Sequence, residues 1–245
     1  MQKTCIRAGL YLSPKTPMSA VPLPADSFPE PIPVFTIRVA GPDDHSYAEE
    51  ICVEMEEAAR VRGTGIAKRS PDYIRHKMDE GKAIIALDGT DFAGFCYIET
   101  WEHGRYVANS GLIVVPTYRK YGLARRIKRR AFNLSRETYP DSKVFGITTS
   151  LAVMKINADL GYRPVTFSEL TQDDVFWKGC QSCRNFDILT RTNKQHCLCT
   201  GMLFDPNAPK RQPEEDDRPV TCGPPSEIPG RRSVPGPMGG VLRSR

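Results

Sequence analysis

"LIVVPTYRKYGLARRI", residues 112–127, starts as an apolar, β-branched run, breaks at Pro116, and resumes as a basic segment around a single glycine, Gly122. The apolar part closes "VANSGLIVVP" (107–116), which reads as a buried strand. The basic part opens a helix running from Gly122 to about Thr138, with Ala124, Ile127, Ala131 and Leu134 at helical spacing on one stripe. Seven of the twelve side chains from Arg119 to Arg130 are cationic. They could serve nucleic acid, a solvated helix face, or a small phosphorylated ligand. A buried strand feeding a helix through a short glycine-bearing loop favours the last. The first N–H groups of the helix are free, its dipole is positive there, and Gly122 lets a ligand approach the backbone. Ala124 keeps the next position small, and Arg119, Lys120 and Arg125 add full charges. A pyrophosphate fits this arrangement better than DNA does.

Strands and helices alternate on both sides of that unit. "VFTIRVA" (34–40) reads as a strand, and Asp43 or Asp44 caps a helix stopped by Gly63. Ser70 before Pro71 is an N-cap with proline at the first helical position, and Gly81 closes that helix. "AIIALDG" and "FAGFCYIETW" form a hairpin. Downstream, "KVFGITTS" is a strand, "LAVMKINADLGY" a helix and "RPVTF" a further strand. The order β-α-α-β-β-β-α-β-α-β predicts an α/β fold with a mixed central sheet flanked by helices.

Sixteen of the 21 prolines lie in residues 1–34 or 205–245. Those ends carry too little apolar surface to offset the entropy of ordering them, so both are expected to be disordered tails. The expected domain spans 35–167, with a cysteine-rich extension over 168–204 that completes the sheet. A net charge of +5 is modest for a nucleic-acid binder. With no membrane-spanning apolar run and no signal-peptide core, the expected location is cytoplasmic.

Arg119-Lys120-Tyr121-Gly122-Leu123-Ala124 fits the [Q/R]-x-x-G-x-[G/A] loop of the GNAT superfamily of acyl-CoA-dependent N-acetyltransferases. "LIVVPTYRKYGLARRI" resembles that family's strand, loop and helix unit, and "SLAVMKINADLGY" (150–162) its later helix ending in Leu-Gly-aromatic. The chain also looks like compact bacterial GNAT proteins that N-acylate glutamate at the head of arginine biosynthesis. The resemblance covers roughly 35–167 and implies acetyl-CoA or another acyl-CoA as co-substrate. It implies main-chain pairing with pantetheine at Leu112, Ile113 and Val114, where the strand splays from its neighbour. It implies pyrophosphate contacts from Lys120 to Arg125. Ser150 stands where relatives carry an asparagine near the cofactor, and Asn157 where many carry a tyrosine acid. Tyr162 or water could then protonate the leaving thiolate.

The reaction implied is attack by a small-molecule amine on a thioester, aided by a base. Glu99, Glu102 and His103 follow one another along "GFCYIETWEHG". Period two puts Glu102 with Cys96 and Ile98, and Glu99 with Tyr97 and Trp101, without saying which face meets the acyl carbon. Between the first two helices, "RVRGTGIAKRSP" (60–71) carries Arg62, Lys68 and Arg69, which suit a carboxylate-bearing acceptor or form a solvated loop.

Cys180 and Cys183 form C-x-x-C; Cys197 and Cys199 form C-x-C on what reads as a strand. Four thiolates could close a structural zinc site, against a redox dithiol or unligated buried cysteines. Two other classes stay open. A GNAT-like protein that binds acyl-CoA without turnover would account for the missing tyrosine. A nucleic-acid module would account for the basic helix, although acidic "EEICVEMEEAA" and the lack of interleaved aromatics oppose it. A homo-oligomer is left open.

Overall fold

The computed structural model describes residues 32–63 and 67–209. The chain divides after Pro206 into two compact units. The first holds every described strand and helix; of the second, only residues 207–209 are described. The expected tails over 1–31 and 210–245 lie outside the described residues. So do Thr64 to Ile66 of the predicted acceptor loop.

Strand β1 (Phe35–Val39) leads through a 3-10 turn into helix α1 (Ala48–Arg62), ended by Gly63 in the left-handed conformation at φ 63°. Asp44 caps the turn through the Gly41 N–H at 3.0 Å and accepts two hydrogen bonds from Arg38, at 2.6 and 2.7 Å. Helix α2 (Pro71–Asp79) starts at Ser70, whose hydroxyl accepts from the Tyr73 N–H at 3.2 Å. Strands β2 (Ala83–Asp88), β3 (Asp91–Trp101) and β4 (Tyr106–Val114) form an antiparallel meander. Helix α3 (Leu123–Thr138), β5 (Lys143–Thr148), α4 (Leu151–Asp159) and β6 (Arg163–Val165) come next. The extension adds α5 (Asp174–Lys178), α6 (Phe186–Arg191) and β7 (Thr200–Phe204).

The seven strands form one mixed sheet in the order β1-β2-β3-β4-β5-β7-β6. The extension completes it by threading β7 antiparallel between β5 and β6. Two details depart from expectation. The last strand begins at Thr200, so Cys197 and Cys199 precede it instead of alternating along it. The buried stripe of α3 runs Leu123, Ile127, Ala131 and Ser135, with Lys128 beside it, while Ala124 and Leu134 are only half-buried.

Period two sorts the core. On β2, Ile85 and Leu87 pack beneath α1 and α2 with Ile51, Met55 and Ile74; Ile84 and Ala86 pack beneath α3 with Ile127 and Ala131. A third cluster, with Phe145, Phe167, Leu170, Trp177 and Leu203, joins the extension to β5. Among the described residues no helix is long and apolar enough to cross a membrane.

A β-bulge interrupts the pairing of β3 with β4. Phe95 pairs with Ile113 and Tyr97 with Ser110, so Gly111 and Leu112 together oppose Cys96. Gly111 is left-handed at φ 66°, and a Cβ there would lie 2.5 Å from Tyr97 Cε1 and 2.7 Å from Met55 Cε. Both the backbone and the space require glycine. Gly111→Ala is expected to lower unfolding stability by about 2–4 kcal/mol, combining left-handed strain with overpacking. Urea denaturation measures it; a loss below about 0.5 kcal/mol would show that the bulge relaxes freely.

Candidate active site

Strands β4 and β5 are parallel and pair over only three positions, Tyr106 to Ala108 against Lys143 to Phe145. Beyond Ala108 the bulge bends β4 away, and the two strands part. A cavity of about 480 Å³ opens at the split. Its β4 wall includes Asn109, Ser110, Gly111 and Leu112; its β5 wall includes Gly146, Ile147 and Thr148. Trp101 and Phe176, whose rings meet edge-on at 5.5 Å, line another side. The open edge of β4 offers main-chain groups to an extended ligand. Leu112 lines the cavity, whereas Ile113 is buried beneath α1 and α2, and Val114 packs toward α3.

At the outer end of β4, the chain turns through Pro116–Tyr118 into α3. Lys120 and Gly122 are both left-handed, at φ 76° and 72°. Together they wrap the backbone around the helix N-terminus, where the Leu123 and Ala124 N–H groups have no intrahelical acceptor. A Cβ built on Gly122 meets nothing within 4 Å, so the space above it is open to a ligand. Arg119 donates to the Val114 carbonyl at 3.2 Å. Tyr121 is exposed, edge-on to Phe35 at 6.2 Å. Arg125 pairs with Asp159 at 2.9 Å and does not stand free. Other cations of the helix are also engaged: Arg126 donates to the Phe35 carbonyl at 3.2 Å, and Arg130 pairs with Glu137 at 3.2 Å. The helix therefore does not present a continuous basic face.

The two candidate glutamates part company. Glu99, 9% exposed, lines the cavity and accepts a hydrogen bond from the Tyr73 hydroxyl. Arg69 and Lys77 approach it, each at 3.8 Å. Arg69 also donates to the Tyr97 hydroxyl at 3.0 Å. Burial, together with the Tyr97 phenol and Glu99 nearby, holds the Tyr73 phenol well above its ordinary value; burial pushes Tyr97 up to about 12. Both phenols therefore stay protonated and act as donors. Glu102 instead leaves the strand at φ 49° and accepts from the Thr171 hydroxyl and the Gln172 N–H, at 2.8 and 2.7 Å. With His103 it lines a separate shallow cleft.

Of the acceptor-loop cations, Arg62 and Arg69 line the cavity, while Lys68 pairs with Glu56 at 2.9 Å away from it. Desolvation, and then the like charge of Arg119, lower the Arg62 pKa.

Tyr162 is buried outside the cavity wall. Its hydroxyl donates to Asn109 Oδ1 at 2.9 Å, and Asn109 in turn donates to the Ser135 hydroxyl at 2.8 Å. That network commits the phenol to holding β4 against α3. Ser150 caps α4, accepting from the Val153 N–H at 3.4 Å. Asn157 lines the cavity, and its Oδ1 is buried without a partner among the described residues. Lys128, which its charge assigns to the solvated helix face, is instead 2% exposed and lines the same cavity. Its spacing held the clue: 124, 128, 131 and 135 share a helix face.

The four clustered cysteines all line the cavity and are free thiols. Burial raises Cys180 to about 11 and Cys199 to about 12, so both are protonated. Among the described residues no group of three His, Cys, Asp or Glu side chains is arranged to hold a metal ion. The zinc expectation is corrected accordingly: proximity is present, but the ligand geometry is not.

No family model matches the sequence, and no curated protein matches it. Solved structures do. N-acetylglutamate synthase from Neisseria gonorrhoeae, complexed with coenzyme A and N-acetyl-glutamate, matches at 16% identity and a TM-score of 0.51, over 71% of this chain and 36% of that one. This chain thus spans about a third of that enzyme's length. A Mycobacterium tuberculosis protein in complex with CoA matches at 16% identity and TM-score 0.51, over 69% of this chain and 98% of that one. A GNAT-family acetyltransferase from Staphylococcus aureus matches at 11% identity and TM-score 0.50, over 71% and 99%. At these identities the likeness is one of fold, and the fold is the GNAT acyltransferase fold.

Proposed function

We propose that this protein, built on the GNAT fold, is an acyl-CoA-dependent N-acyltransferase that moves an acetyl or similar acyl group to the amine of a small acceptor. The observation that carries the reading is one continuous cavity. It joins the open edge of β4, the strand whose chain leads on to Gly122, to a buried carboxylate, Glu99. The residues suit the co-substrate: Lys120 to Ala124 would hold the pyrophosphate, and the free edge from Ser110 to Leu112 would pair with pantetheine. The thioester supplies an activated acyl carbon and a good leaving group. Glu99, held by Tyr73 and Arg69, takes the proton from the acceptor's ammonium, directly or through one water. The N–H groups along the open β4 edge support the carbonyl oxygen as charge develops on it.

Arg62 and Arg69 at the cavity favour an acceptor carrying carboxylates, an acidic amino acid such as glutamate. The Neisseria structure holds N-acetyl-glutamate, and a product of that kind suits the two arginines. Mass spectrometry of reactions with acetyl-CoA or succinyl-CoA, against a panel of amino acids and polyamines, tests donor and acceptor together. An N-acylated acidic amino acid is expected. Preference for a neutral or basic acceptor would remove the carboxylate assignment; CoA binding with no product from any pair would leave a binding protein. Glu99→Gln is expected to lower kcat/KM by about 10²–10⁴ with CoA affinity unchanged, as loss of a general base requires. A fall below threefold would transfer the role to solvent.

A further inference from the structure

Of the seven cations between Arg119 and Arg130, Lys128 alone is buried. Among the described residues no carboxylate pairs with its ammonium, and the residue lines the cavity. It lies 5.5 Å from the centre of the Tyr162 ring, and a Cβ built on Gly146 would come 3.9 Å from its Nζ. That places the amine where β4 and β5 begin to part, in the cavity that Asn157 also lines. The open edge of β4 runs from Leu112 back to Asn109, so an extended ligand arm laid along it, with its phosphates at Lys120 to Ala124, would bring its far end toward Lys128.

A buried ammonium without a counter-ion is costly, and such groups occur where a site uses them. We propose that Lys128 is the proton donor to the sulfur leaving group in acyl transfer, its ammonium facing the thiolate at the floor of the cleft. This rests on the acyltransferase function proposed for the same cavity. The acceptor nitrogen bonds to the carbonyl carbon, and the carbon–sulfur bond breaks with both electrons going to sulfur. Lys128 Nζ gives that sulfur a proton, while the acceptor's ammonium loses two, one to Glu99 before attack and one after the bond forms, by way of Glu99 once it has released the first to solvent; solvent returns one proton to Lys128 and keeps the other. Asn157 carries no titratable proton and Tyr162 is committed to Asn109, so neither competes for the role. The titratable groups facing the amine are the Cys96 thiol on β3 and the Tyr162 phenol. Burial raises both, Cys96 to about 11, and keeps them neutral beside it. Burial also lowers Lys128 to about 8, near the range of a thiol, which suits transfer in either direction.

The test is the ionisation of CoA bound to the full chain, followed by the ultraviolet absorbance of its thiolate as pH is raised. Calorimetry on the same samples checks that CoA binds. In the wild type the bound thiol is expected to ionise at lower pH than free CoA. In Lys128→Met it is expected about one to three pH units higher than in the wild type, the effect of removing one close opposite charge. A wild-type thiol that ionises at or above the free value overturns the inference without any variant. Equal ionisation in the two proteins overturns it as well. If calorimetry finds no CoA binding by the wild type, the acyltransferase reading fails and takes this inference with it. Binding with an unshifted thiol removes the inference alone.

Discussion

Gly122→Asp is expected to raise the dissociation constant for CoA at least about a hundredfold, roughly 2.7 kcal/mol at 1.36 kcal/mol per decade. The position is left-handed at φ 72°, a region that aspartate and asparagine tolerate better than other side chains, so the fold should survive. Nothing of the protein lies within 4 Å of the new Cβ. The side chain would therefore project into the space above the N-terminus of α3, where the pyrophosphate is proposed to sit. A carboxylate there takes up the partial positive charge of the helix and repels the phosphates. Gly122→Asn has the same shape without the charge and separates the two causes; about a tenfold loss is expected for it. Calorimetric titration with CoA reads both. Unchanged binding in Gly122→Asp would remove this loop from the anion site and leave the cavity without its cradle.

The local chemistry of the fold was legible in the sequence because short-range signals decided it. Ser70 before Pro71, Gly63 after α1 and Gly122 before α3 each act within one turn of chain, and each does in the structure what its type implies. The order of strands and helices came from periods of two and 3.6. Long-range geometry was less visible. The strand that carries Glu99 continues only to Trp101, so alternation could not place Glu102, which turns away to Thr171 some 70 residues on. Tyr73 reaches Glu99 on β3 from α2, across 26 residues, and no local pattern links the two. The cysteine spacing suggests ligands only along a strand, and the strand begins at Thr200, past both Cys197 and Cys199. Lys128 was concealed by its neighbours. In a run of arginines a lysine reads as one more surface charge, although its helical position lies beside the buried stripe.

That buried position has a cost, which Lys128→Met should expose. Methionine fills nearly the same length without a charge, and the variant is expected to be more stable than the wild type by about 3 kcal/mol at pH 7. The figure comes from the fall of the ammonium from its ordinary 10.5 to about 8, at 1.36 kcal/mol per pH unit. Proton counts give the sign. The lysine loses its proton near pH 8 when folded and near 10.5 when unfolded, so between those values the unfolded state binds more protons. Wild-type stability therefore rises with pH through that window relative to the variant, and above about 10.5 this contribution is gone. The gap between the two proteins should be largest below pH 8 and close by about pH 10.5. Urea denaturation of both at pH 7, 9 and 10.5 measures it, and groups that titrate alike in both proteins cancel from the difference. A variant less stable than the wild type at pH 7 would mean that the ammonium already has a partner inside the fold. A gap that does not change with pH would mean that the lysine is solvated after all. A stabilised variant whose advantage fades with pH, together with a bound CoA thiol that no longer ionises early, would identify one charge that the fold bears as a cost and the leaving sulfur uses.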